Sequence, residues 1–155
     1  MSETYREVFG EILADHHEAP RNWGKIENAA VHEHGYNPLC GDKVDIYVGF
    51  EADGKVKVTF EGEGCSICMA SASIMTEKVN TADVGGTLKW IEAFRAKMQG
   101  VAEADASIEL LPKDDSGDDL TALYGVKRFP VRIKCALLPW TTLKKALDHK
   151  AGTPS

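Results

Sequence analysis

The sequence has no long apolar segment. A membrane-spanning helix needs about 20 mostly apolar residues in a row, and no stretch of the 155 residues approaches that length. The N-terminal segment MSETYREVFGEILADHH places acidic residues among its apolar positions, so it lacks the uninterrupted apolar core of a secretion signal. We therefore expect a cytoplasmic protein with no membrane span, in a compartment where thiols stay reduced.

The chain also lacks a basic stripe. It has 24 acidic and 18 basic residues and a net charge of −6, and the segment EADASIELLPKDDSGDDL at residues 103–120 contains seven acidic residues and one lysine. Because nucleic-acid binding depends on cationic side chains that neutralise phosphates, this composition argues against a nucleic-acid partner. The acidic segment is typical of a solvated loop, and a surface that docks a partner protein is the alternative.

Cysteine is scarce, and the four cysteines do not form the two CxxC motifs of a zinc knuckle. Only Cys65 and Cys68, in EGEGCSICMASAS, are three positions apart. Without a secretion signal, we expect metal ligands or reactive thiols rather than disulfides. The chain length suits one compact domain, which we place at residues 1–150, followed by a disordered tail at residues 151–155.

The clearest structural pattern is DKVDIYVGFEADGKVKVTFEG, in which apolar residues alternate with polar ones on both sides of an Asp53–Gly54 turn. This alternation predicts an antiparallel hairpin with one buried face. Helical spacing of apolar residues predicts a helix at residues 3–18. Small, helix-forming residues predict a second helix from Ser66 to about Asn80, and Thr87 is expected to cap a third.

The remaining segments complete an α+β domain. A short helix is expected around residues 118–124, and the alternating run before Cys135 in FPVRIKCALLPW is interpreted as a third strand. Pro139 is expected in the first turn of a terminal helix. Because a hairpin is followed by helices without strand–helix alternation, we expect a small antiparallel sheet of about three strands packed against several helices.

The candidate chemistry lies in cysteines and one acid near the ends of the hairpin. Cys40 and Asp42 precede its first strand, whereas Cys65 follows its second strand at a helix start, where free backbone amides favour a thiolate. A hairpin returns the chain to its starting edge, so these residues are expected to meet. With Cys135 they would form an S₃O set of donors, which suits zinc or an iron–sulfur cluster better than magnesium or calcium. Taken singly, each cysteine could equally be a buried, inert residue.

Three segments resemble the signature motifs of the IscU/SufU/NifU-N-terminal family of iron–sulfur cluster assembly proteins: NPLCGDKV, GEGCSICMASASIMTE and GVKRFPVRIKCALLPWTTL. The resemblance runs over most of residues 5–147. It implies the family's α+β fold and metal or cluster ligands at Cys40, Asp42, Cys65 and Cys135. Lys134 stands where scaffold-type members carry a histidine, and the 70-residue spacing from Cys65 to Cys135 includes an insertion. Both features are similar to the SufU-like branch.

Membership of that branch implies a zinc-dependent sulfurtransferase that accepts persulfide sulfur from a SufS-type cysteine desulfurase and stimulates it. The resemblance assigns the acceptor role to Cys40, which a partner histidine would replace on zinc, and an activity role to Arg132. It also implies a SufBCD-type cluster assembly complex as a further partner. The alternatives are a scaffold for a [2Fe–2S] cluster, with iron in place of Zn²⁺, and a zinc-stabilised activator that accepts no sulfur. Cys68 stands where the family usually has serine, and the histidines are expected to be surface or structural residues.

Overall fold

The computed structural model of the chain describes residues 3–80, 82–99 and 117–152. Within these residues, no helix combines the length and the apolar character needed to cross a bilayer. The described residues form three strands and five α-helices, with a 3₁₀ turn at Gly125–Arg128. In chain order they are α1 (Glu3–Glu18), β1 (Val31–Asn37), β2 (Asp42–Phe50), β3 (Val56–Glu63), α2 (Ser66–Val79), α3 (Val84–Gln99), α4 (Gly117–Tyr124) and α5 (Pro130–Gly152).

The predicted hairpin is present as β2 and β3, and β1 adds to the other edge of β2. The sheet is antiparallel with the order β1-β2-β3, and the register pairs Val48 with Val58 and Lys43 with Glu63. Alternate residues of the hairpin form one side of the core, since strand side chains alternate between faces. The buried set is Val44, Ile46, Val48, Val56, Val58 and Phe60.

The outer edge of β3 is covered by chain segments from outside the sheet. The backbone N–H of Val56 donates to Ala82 O at 3.0 Å, and that of Phe60 donates to Asn22 O at 3.1 Å. Between them, Asn80 Oδ1 accepts from Val58 N at 2.6 Å and Asn80 Nδ2 donates to Val58 O at 3.2 Å. These bonds satisfy groups that an open sheet edge would expose to another chain.

Helix α2 lies at the centre of the domain and is buried along almost its whole length. Its small residues permit close packing against α1 and α5. Ser71 Oγ donates to Ala136 O at 2.6 Å and accepts from Trp140 Nε1 at 3.0 Å, and the Trp140 ring stacks on Phe94 with centroids 4.2 Å apart. Hydrogen bonds as well as packing therefore join α2 to α5.

The buried side chain of His16 forms hydrogen bonds that link three helices. Only 2% of it is exposed, its Nδ1 lies 2.7 Å from Ser73 Oγ and its Nε2 lies 2.9 Å from Asp119 Oδ2. The Glu77 carboxylate is 3.6 Å from the same Nε2. The contact joins α1 and α2 to α4, in agreement with the expectation that this histidine is structural.

The run FPVRIKC is helical, so its interpretation as a strand was wrong. Buried residues of α5 recur at helical spacing, at Cys135, Trp140, Leu143 and Leu147, whereas Val131, which the strand pattern would bury, is 75% exposed. The third strand is instead β1, which covers the histidine-containing segment VHEHGYN.

Two predicted helix starts also differ in the structure. Pro130, not Pro139, occupies the first turn of α5, where a missing N–H has no helical partner to lose. Pro139 lies within the helix and is buried. Helix α3 begins four residues earlier than expected, because Asp83 caps it with Oδ1 2.8 Å from Gly86 N. Thr87 is inside that helix, with its hydroxyl 2.8 Å from Asp83 O.

Some expectations fall wholly or partly on residues outside the described ranges. Of the acidic segment 103–120, residues 103–116 lie outside the described ranges. Residues 117–120 are the first residues of α4, which confirms the expected short helix around residues 118–124. Helix α5 includes residues 151 and 152 of the expected tail, and residues 153–155 lie outside the described part. The burial of Tyr5, Val8 and Phe9 in α1 is likewise not described.

Replacing Asn80 by alanine is expected to lower the free energy of unfolding by about 1 to 3 kcal/mol, because both backbone groups of Val58 lose their partners at the sheet edge. Urea unfolding followed by circular dichroism measures the change. Gln99→Ala, at the exposed end of α3, is the control and should change stability by less than about 0.5 kcal/mol. Equal effects of the two substitutions would contradict the assigned role of Asn80.

Candidate metal centre

Cys40 lies on a tight turn between β1 and β2. Asn37 O accepts from Cys40 N at 3.3 Å and from Gly41 N at 2.8 Å, and Asn37 Oδ1 accepts from Leu39 N at 3.2 Å. The buried Asn37 side chain thus organises the turn from within. Cys40 is left partly exposed at its tip.

Asp42 is the first residue of β2 and is completely buried. Its Oδ1 accepts from the backbone N–H of Cys65 at 2.8 Å, which joins the start of the hairpin to the segment that follows it. Its Oδ2 has no hydrogen-bond partner within the described part of the chain. An unpaired buried carboxylate oxygen is costly, so this atom indicates a place for a cation.

Cys65 is the N-cap of α2, as its position at a helix start predicts. Its Sγ accepts from Cys68 N at 3.4 Å. A hydrogen bond from the Cys135 thiol, assisted by this backbone N–H and opposed by burial, lowers the pKa of Cys65 to about 7. The same hydrogen bond, together with burial, raises the pKa of Cys135 well above its ordinary value. Of the two thiols, Cys65 is therefore the one that gives up its proton more readily.

Cys135 and Arg132 lie one turn apart on α5, and residues at this spacing share a helix face. Cys135 is buried, and its Sγ lies 3.5 Å from Cys40 Sγ. Arg132 is exposed and its side chain hydrogen-bonds Cys135. Partial desolvation lowers the pKa of Arg132, but this bond and the nearby sulfur charges outweigh it and raise the pKa overall. A strand would have sent these two side chains to opposite faces.

The structure brings together three of the four sequence-predicted ligands most closely. Single donor atoms of Cys40, Asp42 and Cys135 all lie within 4.8 Å of one another. Tetrahedral zinc places sulfur and oxygen ligands about 3.3 to 3.8 Å apart. Cys65 lies at the edge of this group, joined to it by its bonds to Asp42 and Cys135. The structure thus assembles two sulfur donors and one oxygen donor, and Cys65 would have to join this group to complete the predicted S₃O set.

Gly64 lets the chain pass directly over Asp42. Its φ is +135°, and a Cβ built there would lie 2.5 Å from Asp42 Oδ1 and 2.7 Å from Asp42 Cα. No side chain other than hydrogen fits this approach without displacing the carboxylate. The glycine is therefore required by the site rather than by the turn alone.

Cys68 is separated from the donor group although it lies one helical turn from Cys65. It is completely buried, and burial, together with the neighbouring charge of Asp42, raises the pKa of its thiol above the ordinary value. A protonated, inaccessible thiol is a poor ligand and a poor nucleophile. The structure agrees with the interpretation of Cys68 as a small buried side chain.

A groove of about 640 Å³ opens beside Cys40, which sequence reasoning did not predict. It is lined by Cys40 and by the first turn of α5 with the residues before it: Arg128, Phe129, Pro130, Val131 and Arg132. The segment KRFPVRIK is the part of the sequence that could have indicated a binding surface, since it has four basic residues and no acid. Its interpretation as a strand hid the groove, because only a helix start places these residues beside Cys40.

The family model described as NifU-like N terminal domain matches residues 8–136 of this chain. The zinc-dependent sulfurtransferase SufU of Bacillus subtilis (strain 168) is 39% identical over 145 residues, covering 94% of this chain and 92% of that protein. The iron–sulfur cluster assembly scaffold protein IscU of Thermotoga maritima is 33% identical over 144 residues, covering 92% and 94%.

A solved structure shares the fold. The crystal structure of FiSufU from Fervidobacterium islandicum AW-1, described as an iron–sulfur cluster assembly scaffold protein for the SUF system, has a TM-score of 0.75 and 34% sequence identity. It covers 92% of this chain and 98% of that chain. The structural similarity therefore extends over most of this chain.

Gly64→Ala is expected to weaken metal binding and to cost about 2 kcal/mol or more in stability, because the added Cβ collides with Asp42 in addition to straining the backbone. Metal affinity by competition with a chelator and urea unfolding measure the two effects. The matched control is Gly54→Ala, which has φ +87° but open space around its Cβ. It should cost about 1 to 2 kcal/mol and leave metal affinity unchanged. Loss of affinity in both variants would attribute the effect to backbone strain.

Cys68→Ser is expected to leave the metal content at its original value, because the side chain is outside the donor group and serine is nearly isosteric. Metal analysis after dialysis measures the metal content. Thiol counting in the unfolded chain verifies that one cysteine has been removed. A variant that loses metal would place Cys68 among the ligands.

Proposed function

The chain belongs to the family of NifU-like N-terminal domains, and from this premise we propose that it is a zinc-dependent sulfurtransferase of iron–sulfur cluster assembly. Its substrate is the persulfide sulfur of a SufS-type cysteine desulfurase, which it also stimulates. The similarity to the zinc-dependent sulfurtransferase SufU supports this choice. The four free thiols among the described residues suit a reducing compartment, so we place the reaction in the cytoplasm.

The observation that carries the proposal is the buried Asp42 carboxylate, which has an unpartnered Oδ2 and an oxygen within 4.8 Å of two thiol sulfurs. Sulfur donors favour zinc over harder ions, and one carboxylate completes a four-ligand set. We assign Cys40, Asp42, Cys65 and Cys135 as the residues that would hold the ion. Bound zinc keeps coordinating thiols deprotonated at neutral pH.

Cys40 is the proposed sulfur acceptor because its thiol lies at the tip of an exposed turn and opens onto the groove. Its thiolate attacks the outer sulfur of the desulfurase persulfide. A bond forms between Cys40 Sγ and that sulfur, the sulfur–sulfur bond to the desulfurase cysteine breaks, and this cysteine leaves as a thiolate. The displacement is the same as in thiol–disulfide exchange, so no outside oxidant or reductant takes part.

Arg132 and Asp42 position the groups that react. The Arg132 guanidinium bonds Cys135 on the groove side, where a cation stabilises thiolate and persulfide anions. Asp42 fixes the Cys65 backbone through Oδ1 and presents Oδ2 to the thiols. As a hard donor among soft ones, it is expected to hold the site together while leaving it exchangeable.

A scaffold for a [2Fe–2S] cluster is the second candidate, because the same four donors suit iron and the chain is also similar to an IscU scaffold protein. Lys134 favours the first candidate. It is exposed on α5 next to Cys135, and a lysine is a poor substitute for a histidine beside a cluster. Metal content after aerobic purification separates the two: about one zinc per chain supports sulfur transfer, whereas tightly bound iron supports the scaffold.

Cys40→Ala is expected to reduce the stimulation of alanine formation from cysteine by the desulfurase to the basal rate, because no acceptor thiol remains. The wild-type chain, incubated with desulfurase and cysteine, should gain the mass of one sulfur atom on the peptide that contains Cys40. Both changes are measured in the same reaction, by alanine assay and mass spectrometry.

Cys68→Ser is the matched control, since it removes a thiol from the same region without touching the donor group. It should stimulate like the wild type. If Cys40→Ala stimulates as well as the wild type, the chain is a zinc-stabilised activator and the acceptor assignment fails. Absence of any stimulation by the zinc-loaded wild type would overturn the sulfurtransferase proposal itself.

A further inference from the structure

Large apolar residues are exposed around the Cys40 turn. Five such residues are exposed among the described residues, and three of them border this turn or the groove: Tyr36 at 49%, Leu39 at 77% and Val131 at 75%. Leu39 directly precedes Cys40, and Val131 directly precedes Arg132. Clustered exposed apolar side chains of this kind mark protein interaction sites.

We propose that Leu39 and Val131 are the apolar anchors of a docking surface for the cysteine desulfurase, a partner with an apolar contact patch and acidic residues around it. This inference rests on the proposed function. Direct transfer requires the persulfide to touch Cys40 Sγ, so the partner must cover the residues around that thiol. Anchors next to the reacting atom fix its position as well as the affinity.

Two concave surfaces lie on either side of the Cys40 turn and give the partner places to insert side chains. One is the groove of about 640 Å³ that contains Val131. The other, of about 260 Å³, lies between the end of β1 and α5 and is lined mainly by Tyr36, Pro38, Leu137 and Leu138, with Lys134 at its rim. Protruding apolar side chains beside apolar depressions form the interlocking surface typical of specific interfaces.

The charge around the groove indicates the sign of the partner surface. Residues 127–134 contain four basic side chains and no acid, whereas the whole chain has a net charge of −6. A local positive patch on an acidic protein steers an acidic patch of its partner to this face, whereas two equivalent patches facing each other in a symmetric pair of copies of this chain would repel. The surface therefore fits a different protein with acidic residues around an apolar centre.

Leu39→Ser and Val131→Ser are expected to raise the chain concentration that half-saturates desulfurase stimulation by roughly tenfold each, with maximal stimulation unchanged. Both side chains are at least three quarters exposed, so zinc content and thermal unfolding should match the wild type. Added salt should raise the half-saturating concentration of the wild type. The increase should be smaller for Lys127→Ser, because this variant lacks one charge of the basic patch.

Two control variants sharpen the comparison. Leu39→Met keeps an apolar side chain and should half-saturate like the wild type. Phe50→Ser removes an exposed ring at the other end of β2, roughly 27 Å from Asp42, and should also leave half-saturation unchanged.

The outcomes separate the docking inference from the proposed function. If the wild type stimulates and both serine variants half-saturate at the wild-type concentration, only the docking surface is wrong. If Leu39→Ser instead converts a dimer of this chain to a monomer in light scattering, the surface is an interface between copies and the inference is overturned. A wild type that neither stimulates nor accepts sulfur overturns the function and, with it, the docking partner.

Discussion

The buried carboxylate of Asp42 is the constraint on which the site depends. One oxygen accepts the Cys65 N–H and so joins the first residue of β2 to the residue that caps α2. The other has no hydrogen-bond partner among the described residues and lies within reach of Cys40 and Cys135. Burying a carboxylate without a counter-charge costs several kcal/mol, so this end of the domain is stabilised when a cation binds. We therefore expect folding and metal binding to be coupled at this residue.

Four thiols of the same intrinsic chemistry acquire different properties from their positions. Cys68 is buried in α2 and stays protonated, whereas Cys65, one turn earlier, receives a backbone N–H and a thiol hydrogen bond that favour its thiolate. Cys135 donates that bond from a buried position on α5. Only Cys40 combines a place in the donor group with an opening to the groove. Position in the fold, more than residue type, decides which thiol can react with another protein.

The hairpin follows from a short-range pattern, whereas the starts of α3 and α5 and the run before Cys135 were predicted wrongly. Strict alternation on both sides of Asp53–Gly54 allows only a hairpin, and a hairpin brings Cys40 near Cys65 whatever the rest does. The run FPVRIK shows apolar residues at both strand and helix spacing, and only packing of α5 on α2 and the sheet decides between them. Pairing of β1 with β2 and the exposure of Leu39 are likewise tertiary outcomes that no local pattern contains.

The start of α5 also solves an electrostatic problem that sulfur transfer poses. Three thiolates and a carboxylate, the proposed ligand set, would carry four negative charges, so a divalent ion would leave the site with a net charge of about −2. An incoming persulfide anion would be repelled by this charge at contact distance. Arg132 contacts Cys135 from the groove side, and three further basic residues lie within residues 127–134. Because the helix begins at Pro130, these cations surround the entrance to Cys40 instead of alternating across a sheet. The same helix start that upsets the strand interpretation thus makes the approach of one sulfur anion to another electrostatically feasible.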